Sequence, residues 1–188
     1  MLEGKGNSFE SVFAEYGYRC QQIVPRALGS PFCPEFRLLI VPSAFTAPQF
    51  YVEIEPALER CAGQIEKFVE QGGVILVYGP FYRSMTATYD YPWLPVRFTY
   101  HYLPRMQKIS VAMPESPITG FVKPGTEGCD GYFAEYEGDA VLTDEEGRPV
   151  LVSKKFGEGY IVVAATFHFP EKAFVDWACA PGRKPARL

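Results

Sequence analysis

Five cysteines and two histidines carry most of the nucleophilic and metal-binding potential of this 188-residue chain. The cysteines are Cys20, Cys33, Cys61, Cys129 and Cys179; the histidines are His101 and His168. An odd cysteine count without a C-x-x-C pair makes neither a zinc site nor a disulfide framework legible. His168 is followed three residues on by Glu171, types that could act as base and orienter on a water molecule. Cys129 is the thiol that could join them, although Glu127 and Asp130 beside it oppose thiolate formation. The Gly128 to Gly131 stretch around it reads as a flexible, exposed turn. Each candidate has a plainer reading: His168 as a satisfied histidine at a strand edge, and His101 as a solvent-facing residue in phase with Arg97 and Thr99.

Ligand-binding chemistry has two further candidates. Gly4-Lys5-Gly6-Asn7-Ser8 opens a helix, where backbone N–H groups and Lys5 could hold a carboxylate or phosphate. It lacks the Walker pattern, and a glycine turn with a helix cap is its competing reading. The segment Phe81–Leu103 concentrates aromatics around Arg83, Asp90 and Arg97, which suits a small polar ligand, an oligomer or protein contact, or core packing. Asp139 and Asp144–Glu146 only approximate a calcium loop, so no metal and no cofactor is expected.

These residues need a scaffold, and composition allows one. Hydrophobic residues make up 47% and charged residues 21%, which excludes disorder along the whole chain. A formal charge of −4 argues against a nucleic-acid partner. The N-terminus shows no signal-peptide pattern, and Leu38 to Val52 is too short and proline-broken to span a bilayer, so a cytoplasmic protein without a membrane partner is expected.

Phe9, Val12, Phe13 and Tyr16 repeat at helical spacing, predicting a helix over 8–16 that ends at Gly17. Arg19 to Val24 reads as a short strand. Phe36 to Val41 (FRLLIV) and Val74 to Tyr78 (VILVY) are continuous apolar runs, the pattern of strands covered on both faces. Between them, Leu58, Cys61, Ile65, Phe68 and Val69 mark a helix over 56–71, completing a strand, helix, strand unit. Downstream, Val96–Tyr102 alternates, Lys108–Met113 is strand-like, and 132–167 reads as an antiparallel meander with turns at 145–148 and 157–159. A short helix over 174–178 and a flexible tail over 181–188 close a single domain over 1–180. Met1-Leu2-Glu3 leaves no length for an opening strand, so the first strand is either a stub or lies upstream of this start.

The order of FRLLIVPSAF, FVEQGG, VILVYGP, SPITGF and GRPVLVSKKFGEGYIVVAATFHFP resembles the class I glutamine amidotransferase-like superfamily over residues 4–178. That resemblance implies an α/β fold with a doubly wound, mostly parallel, flavodoxin-like sheet and an antiparallel meander in the C-terminal half. It also implies a catalytic cysteine on a sharp turn after VILVY. Tyr78 or Gly79 falls there instead, with no Cys or Ser in Val77-Tyr78-Gly79-Pro80-Phe81, so glutaminase activity is not expected.

In doubly wound sheets ligands bind beyond the carboxyl ends of the strands. The expected binding residues are accordingly Lys5, Gly6, Asn7, Ser8, Ser43, Gly79, Tyr82, Arg83 and His168. The sequence reading is a non-catalytic domain binding a small polar ligand or a protein partner at that edge. Its alternatives are a hydrolase using His168, Glu171 and Cys129, and an oligomerisation module using Phe81–Leu103.

Overall fold

A computed structural model describes residues 8–81, 87–123 and 125–188. Helix α1 (Ser8–Glu15) leads through an irregular segment into strand β1 (Leu38–Val41). No named strand forms over 19–24. Helices α2 (Ile54–Arg60) and α3 (Ala62–Glu70) stand where one helix was expected. They part at Cys61, whose backbone (φ −100°, ψ 10°) leaves helical geometry and whose Sγ donates to the Leu28 carbonyl at 3.3 Å. The predicted stripe of Leu58, Cys61, Ile65, Phe68 and Val69 is nonetheless buried along both pieces.

After β2 (Val74–Tyr78) come β3 (Thr88–Asp90), the long β4 (Phe98–Lys108) and β5 (Ser110–Val111). Strands β6 (Glu127–Tyr136), β7 (Asp139–Thr143), β8 (Pro149–Phe156) and β9 (Gly159–Ala164) follow, then α4 (Lys172–Ala178). A six-stranded sheet runs β1-β2-β9-β8-β7-β5, and a three-stranded sheet runs β3-β4-β6. Among the described residues only the β1–β2 and β2–β9 pairs are parallel; β9–β8, β8–β7, β7–β5 and both pairs of the smaller sheet are antiparallel.

The expectation of a doubly wound, mostly parallel, flavodoxin-like sheet is therefore corrected to a strand-rich mixed fold, with four α-helices among the described residues. After its single short strand, helix, strand unit the chain leaves β2 to build a second sheet. It returns through tight turns at Gly147 and Gly157, whose φ values of +78° and +57° let each strand reverse onto its neighbour.

The apolar runs divide by alternation. Leu39, Val41, Ile75, Val77, Ile161 and Val163 face α2, α3 and the aromatics of the smaller sheet, while Leu38, Ile40, Val74, Leu76, Tyr78 and Val162 face Phe13 of α1 and Phe174 and Val175 of α4. Both faces are covered, which is why these strands carry no polar phase.

The segment 181–188 is held by the body of the molecule rather than hanging free. Phe36 and Ala186 exchange two backbone hydrogen bonds of 3.0 Å, and Leu188 is buried.

Candidate functional site

The ends of β1, β2 and β9 lie side by side, so the loops that leave them share one edge. Hydrogen bonds to backbone carbonyls lock the loops after β1 and β2 together. Ala44 N–H donates to the Gly79 carbonyl at 2.8 Å, and the Thr46 hydroxyl donates to the Pro80 carbonyl at 2.6 Å. Ala44 sits at φ +60°, a conformation L residues adopt at a cost of about 1–3 kcal/mol when the surroundings impose it.

Across the edge, the Tyr78 hydroxyl donates to the His168 carbonyl at 2.9 Å, and His168 N–H donates to Thr166 Oγ1 at 3.1 Å. Strand β6 of the smaller sheet enters the same corner. Cys129 bridges to Thr166, Asp130 N–H donates to the Ala165 carbonyl at 3.2 Å, and the Tyr100 hydroxyl donates to the Asp130 carbonyl at 3.0 Å.

Asp130 is the chemically distinctive group at this edge. It is 3% exposed, and its Oδ1 has no hydrogen-bond partner among the described residues. The Tyr91 hydroxyl is likewise buried without a partner. Burial pushes the Asp130 carboxyl up to about 7, against the opposing pull of the Tyr100 hydroxyl and of its own backbone N–H. Desolvation and the nearby Asp130 charge in turn push Tyr78, Tyr91 and Tyr100 well above the usual phenol range.

Gly79 makes the carboxylate's position possible: a Cβ there would lie 2.7 Å from Asp130 Oδ2 and 2.9 Å from the Tyr100 hydroxyl. The turn after β2 thus begins with a glycine whose side-chain space holds an acid.

The expected site residues separate. Lys5, Gly6 and Asn7, as well as Tyr82 and Arg83, lie outside the described residues. Ser8 is the first residue of α1, and Ser43 is exposed in the loop after β1. Gly79 and His168 do share the edge, but the His168 ring is turned away: its Nε2–H donates to the Glu127 carbonyl at 2.8 Å.

Glu171 stands at the start of α4, with a carboxylate oxygen 3.7 Å from Lys123 Nζ. Cys129 is buried inside β6 rather than exposed on a turn, and burial pushes its thiol up. His168, Glu171 and Cys129 thus each face a different partner.

The aromatic segment is also largely internal. Tyr91, Trp93, Leu94, Val96, Phe98 and Tyr100 belong to the core, which removes these side chains from any outward contact.

Sequence reasoning passed over Asp130, treating it only as a neighbour of Cys129. The available signal was its second flanking glycine: a Cβ at Gly131 would lie 2.1 Å from the His101 carbonyl, the close backbone approach that an isolated strand glycine marks. Among the described residues no cluster of metal-binding side chains occurs.

Fold and edge together define a mixed α/β domain with a buried acid at its strand ends. No family model matches the chain, and no curated protein matches it. Solved structures do resemble it. The cytoplasmic protein STM1381 from Salmonella typhimurium LT2 superposes with a TM-score of 0.57 at 16% identity, over 92% of this chain and 82% of that one. The cytoplasmic protein STM3548 from Salmonella typhimurium gives 0.50 at 16% identity, over 95% and 82%.

The beta-galactosidase from Rahnella sp. R3 gives a TM-score of 0.52 at 16% identity over 96% of this chain, which spans only 27% of that enzyme. These likenesses concern the fold. With the strand-rich mixed sheet they correct the expectation of a flavodoxin-like, amidotransferase-like fold, and a region of similar fold lies within the Rahnella beta-galactosidase. No helix among the described residues is long and apolar enough to cross a membrane.

Proposed function

We propose that this chain is a non-catalytic domain that binds a small polar ligand at the ends of β1, β2 and β9. The observation that carries the reading is the buried Asp130 carboxylate, whose Oδ1 is left unpaired in a corner where loops from both sheets meet. A buried polar atom left without a partner costs about 1–3 kcal/mol, and more when charged, a cost that a ligand supplying the partner removes. A non-catalytic role is supported by the separate engagements of His168, Glu171 and Cys129.

A cytoplasmic setting accords with the description of the two Salmonella proteins of similar fold. The test is a thermal-shift screen of the full chain against sugars, nucleosides, amino acids and amines, repeated on Asp130→Asn. A ligand that raises the melting temperature of the parent chain and not of the variant supports the reading. A full set of ligands that shift neither defeats it.

A protein partner is the second reading, favoured by Met106 and Phe167, which are 74% and 56% exposed and flank Gly128 together. Light scattering on the parent chain and on Met106→Ser/Phe167→Ser separates it: self-association lost in the double variant supports an apolar interface. A monomer in both leaves the ligand reading alone.

A further inference from the structure

Strand β1 ends the larger sheet, and its outer side is short of partners. The Arg37 carbonyl accepts from the Val74 N–H at 2.9 Å, which fixes the phase of the strand. In a parallel pair the N–H and C=O of one residue point to the same side, and the side alternates along the chain. Arg37, Leu39 and Val41 therefore turn their main-chain groups to β2, where Leu39 stands opposite Ile75 and Val41 opposite Val77. Phe36, Leu38 and Ile40 turn theirs outward. Phe36 spends its pair on Ala186, in an antiparallel bridge of 3.0 Å each way. Among the described residues no backbone hydrogen bond reaches Leu38 or Ile40 from that side.

Leu38 is 9% exposed and Ile40 2%, so two donors and two acceptors are held largely away from bulk water without a partner. Buried main-chain groups are nearly always paired, because an unpaired one pays its full desolvation cost. Space for a partner exists. A cavity of about 220 Å³ lies against this edge, lined by the buried Ile23, Leu38 and Ile40 and by the exposed Arg19, Gln21 and Glu35. It is smaller than the roughly 300–1,000 Å³ of drug-sized sites, which favours a narrow ligand. Arg19 and Glu35 take part in none of the ion pairs among the described residues.

The complement of such an edge is main chain. Donors and acceptors that recur every second residue match an extended peptide, which adds to sheet edges through its own backbone. The Phe36–Ala186 bridge already begins an antiparallel ladder on this side of the strand. Residues opposite Leu38 and Ile40 in its continuation would share their face, the apolar side packed on Phe13 and Phe174, and are therefore apolar themselves.

We infer that the outer edge of β1 takes a short extended peptide from a partner protein, antiparallel to the strand, with apolar residues opposite Leu38 and Ile40 and flanking residues of unlike charge complementing Arg19 and Glu35. The site lies on the flank of β1 and does not depend on ligand binding at the strand ends.

The probes are the acetylated, amidated pentapeptides KVTVE and EVTVK and their forms N-methylated at both valines, measured on the full chain by amide hydrogen exchange and calorimetry. In the free chain the amides of Leu38 and Ile40 should exchange faster than those of Leu39 and Val41, which bond to β2. At least one peptide should slow the first two amides about tenfold or more and leave the second two unchanged. Methylation removes the peptide's ladder donors and should weaken binding about tenfold or more. The peptides differ only in the order of their charges, so the tighter one should become the weaker, by about two- to fivefold, in Arg19→Glu/Glu35→Arg.

Leu38 and Ile40 amides as protected as Leu39 and Val41 in the free chain would show that the chain covers this edge itself, and would overturn the proposal. Protection that grows with chain concentration would overturn it in favour of a second copy. Methylated peptides that bind equally well would mark an apolar contact without pairing, and a charge swap that leaves the order of the peptides unchanged would place them elsewhere; either result defeats the inference. Peptides without effect on either amide would leave a hydrated edge and end it as well.

Discussion

The carboxylate of Asp130 occupies the space a side chain at Gly79 would need, with Oδ2 2.7 Å from the position of an added Cβ. The two residues are 51 positions apart in the sequence; Asp130 lies in β6 of the smaller sheet and Gly79 directly follows β2 of the larger, so their contact joins the two sheets at the end of β2. Gly79→Ala should therefore destabilise the chain by about 2–3 kcal/mol through overpacking. In an Asp130→Ala background the same substitution should cost less, because one of its two collisions is gone and the Tyr100 hydroxyl remains. Urea titrations of the four chains give the coupling directly, and strict additivity would place the two groups apart.

Acid should stabilise this fold through Asp130. The folded chain holds that proton to about pH 7, whereas the ordinary carboxyl value is 3.8. A group whose folded value is raised contributes stability fully present below the unfolded value and lost as pH rises through the folded one. The contribution is up to about 4 kcal/mol and disappears between roughly pH 4 and 7. Glu53 and Asp176 are shifted down by Arg26 and Lys172 and work in the opposite direction, so the readout is a difference. The stability of the parent chain minus that of Asp130→Asn should decline steadily over that window in urea titrations.

Tyr78 and His168 should rank in an order their residue types do not suggest. The Tyr78 hydroxyl is buried and donates to the His168 main chain, so Tyr78→Phe strands a carbonyl and should cost about 1–2 kcal/mol. His168→Ala keeps that bond and removes only the ring contact with the Glu127 carbonyl, so it should cost about 1 kcal/mol or less. Denaturant midpoints at constant slope would check the order.

The free thiols should fall into two groups. Cys33, Cys61 and Cys129 are buried, while Cys20 and Cys179 are partly exposed. Burial pushes Cys179 up to about 11, so exposure there does not bring fast reaction. Alkylation with iodoacetamide at pH 7.5, followed by peptide mass spectrometry, should label Cys20 and Cys179 slowly in the native chain. The other three should react only in denaturant, and rapid native labelling of Cys129 would revive it as a nucleophile.

Much of the scaffold was legible because it is local. VILVY is an unbroken apolar run, and it is a strand buried at every position. The stripe from Leu58 to Val69 reads as a helix, although the break at Cys61 depends on a bond to Leu28 that no helical period encodes. Pairing direction was less legible. An apolar run covered on both faces suits a parallel strand, yet β8 is apolar over Val150–Val152 and pairs antiparallel with both neighbours. The basic, proline-containing tail reads as loose because its partner, Phe36, is far away in the chain.

The sequence by itself determined the helix at the start of the described residues, the apolar strands β1 and β2 with the buried helical stripe between them, and that no Cys or Ser stands in Val77-Tyr78-Gly79-Pro80-Phe81. Those properties follow from side-chain period, glycine placement and residue identity over a few positions. Only the tertiary structure decided that Asp130 lies inside rather than on a turn, that Gly79 makes room for it, and that His168 turns its ring toward Glu127. Such relationships depend on which distant backbone segments approach within a few ångströms, and burial, the force that shifts the Asp130 proton, belongs to the packed molecule and to no stretch of its sequence.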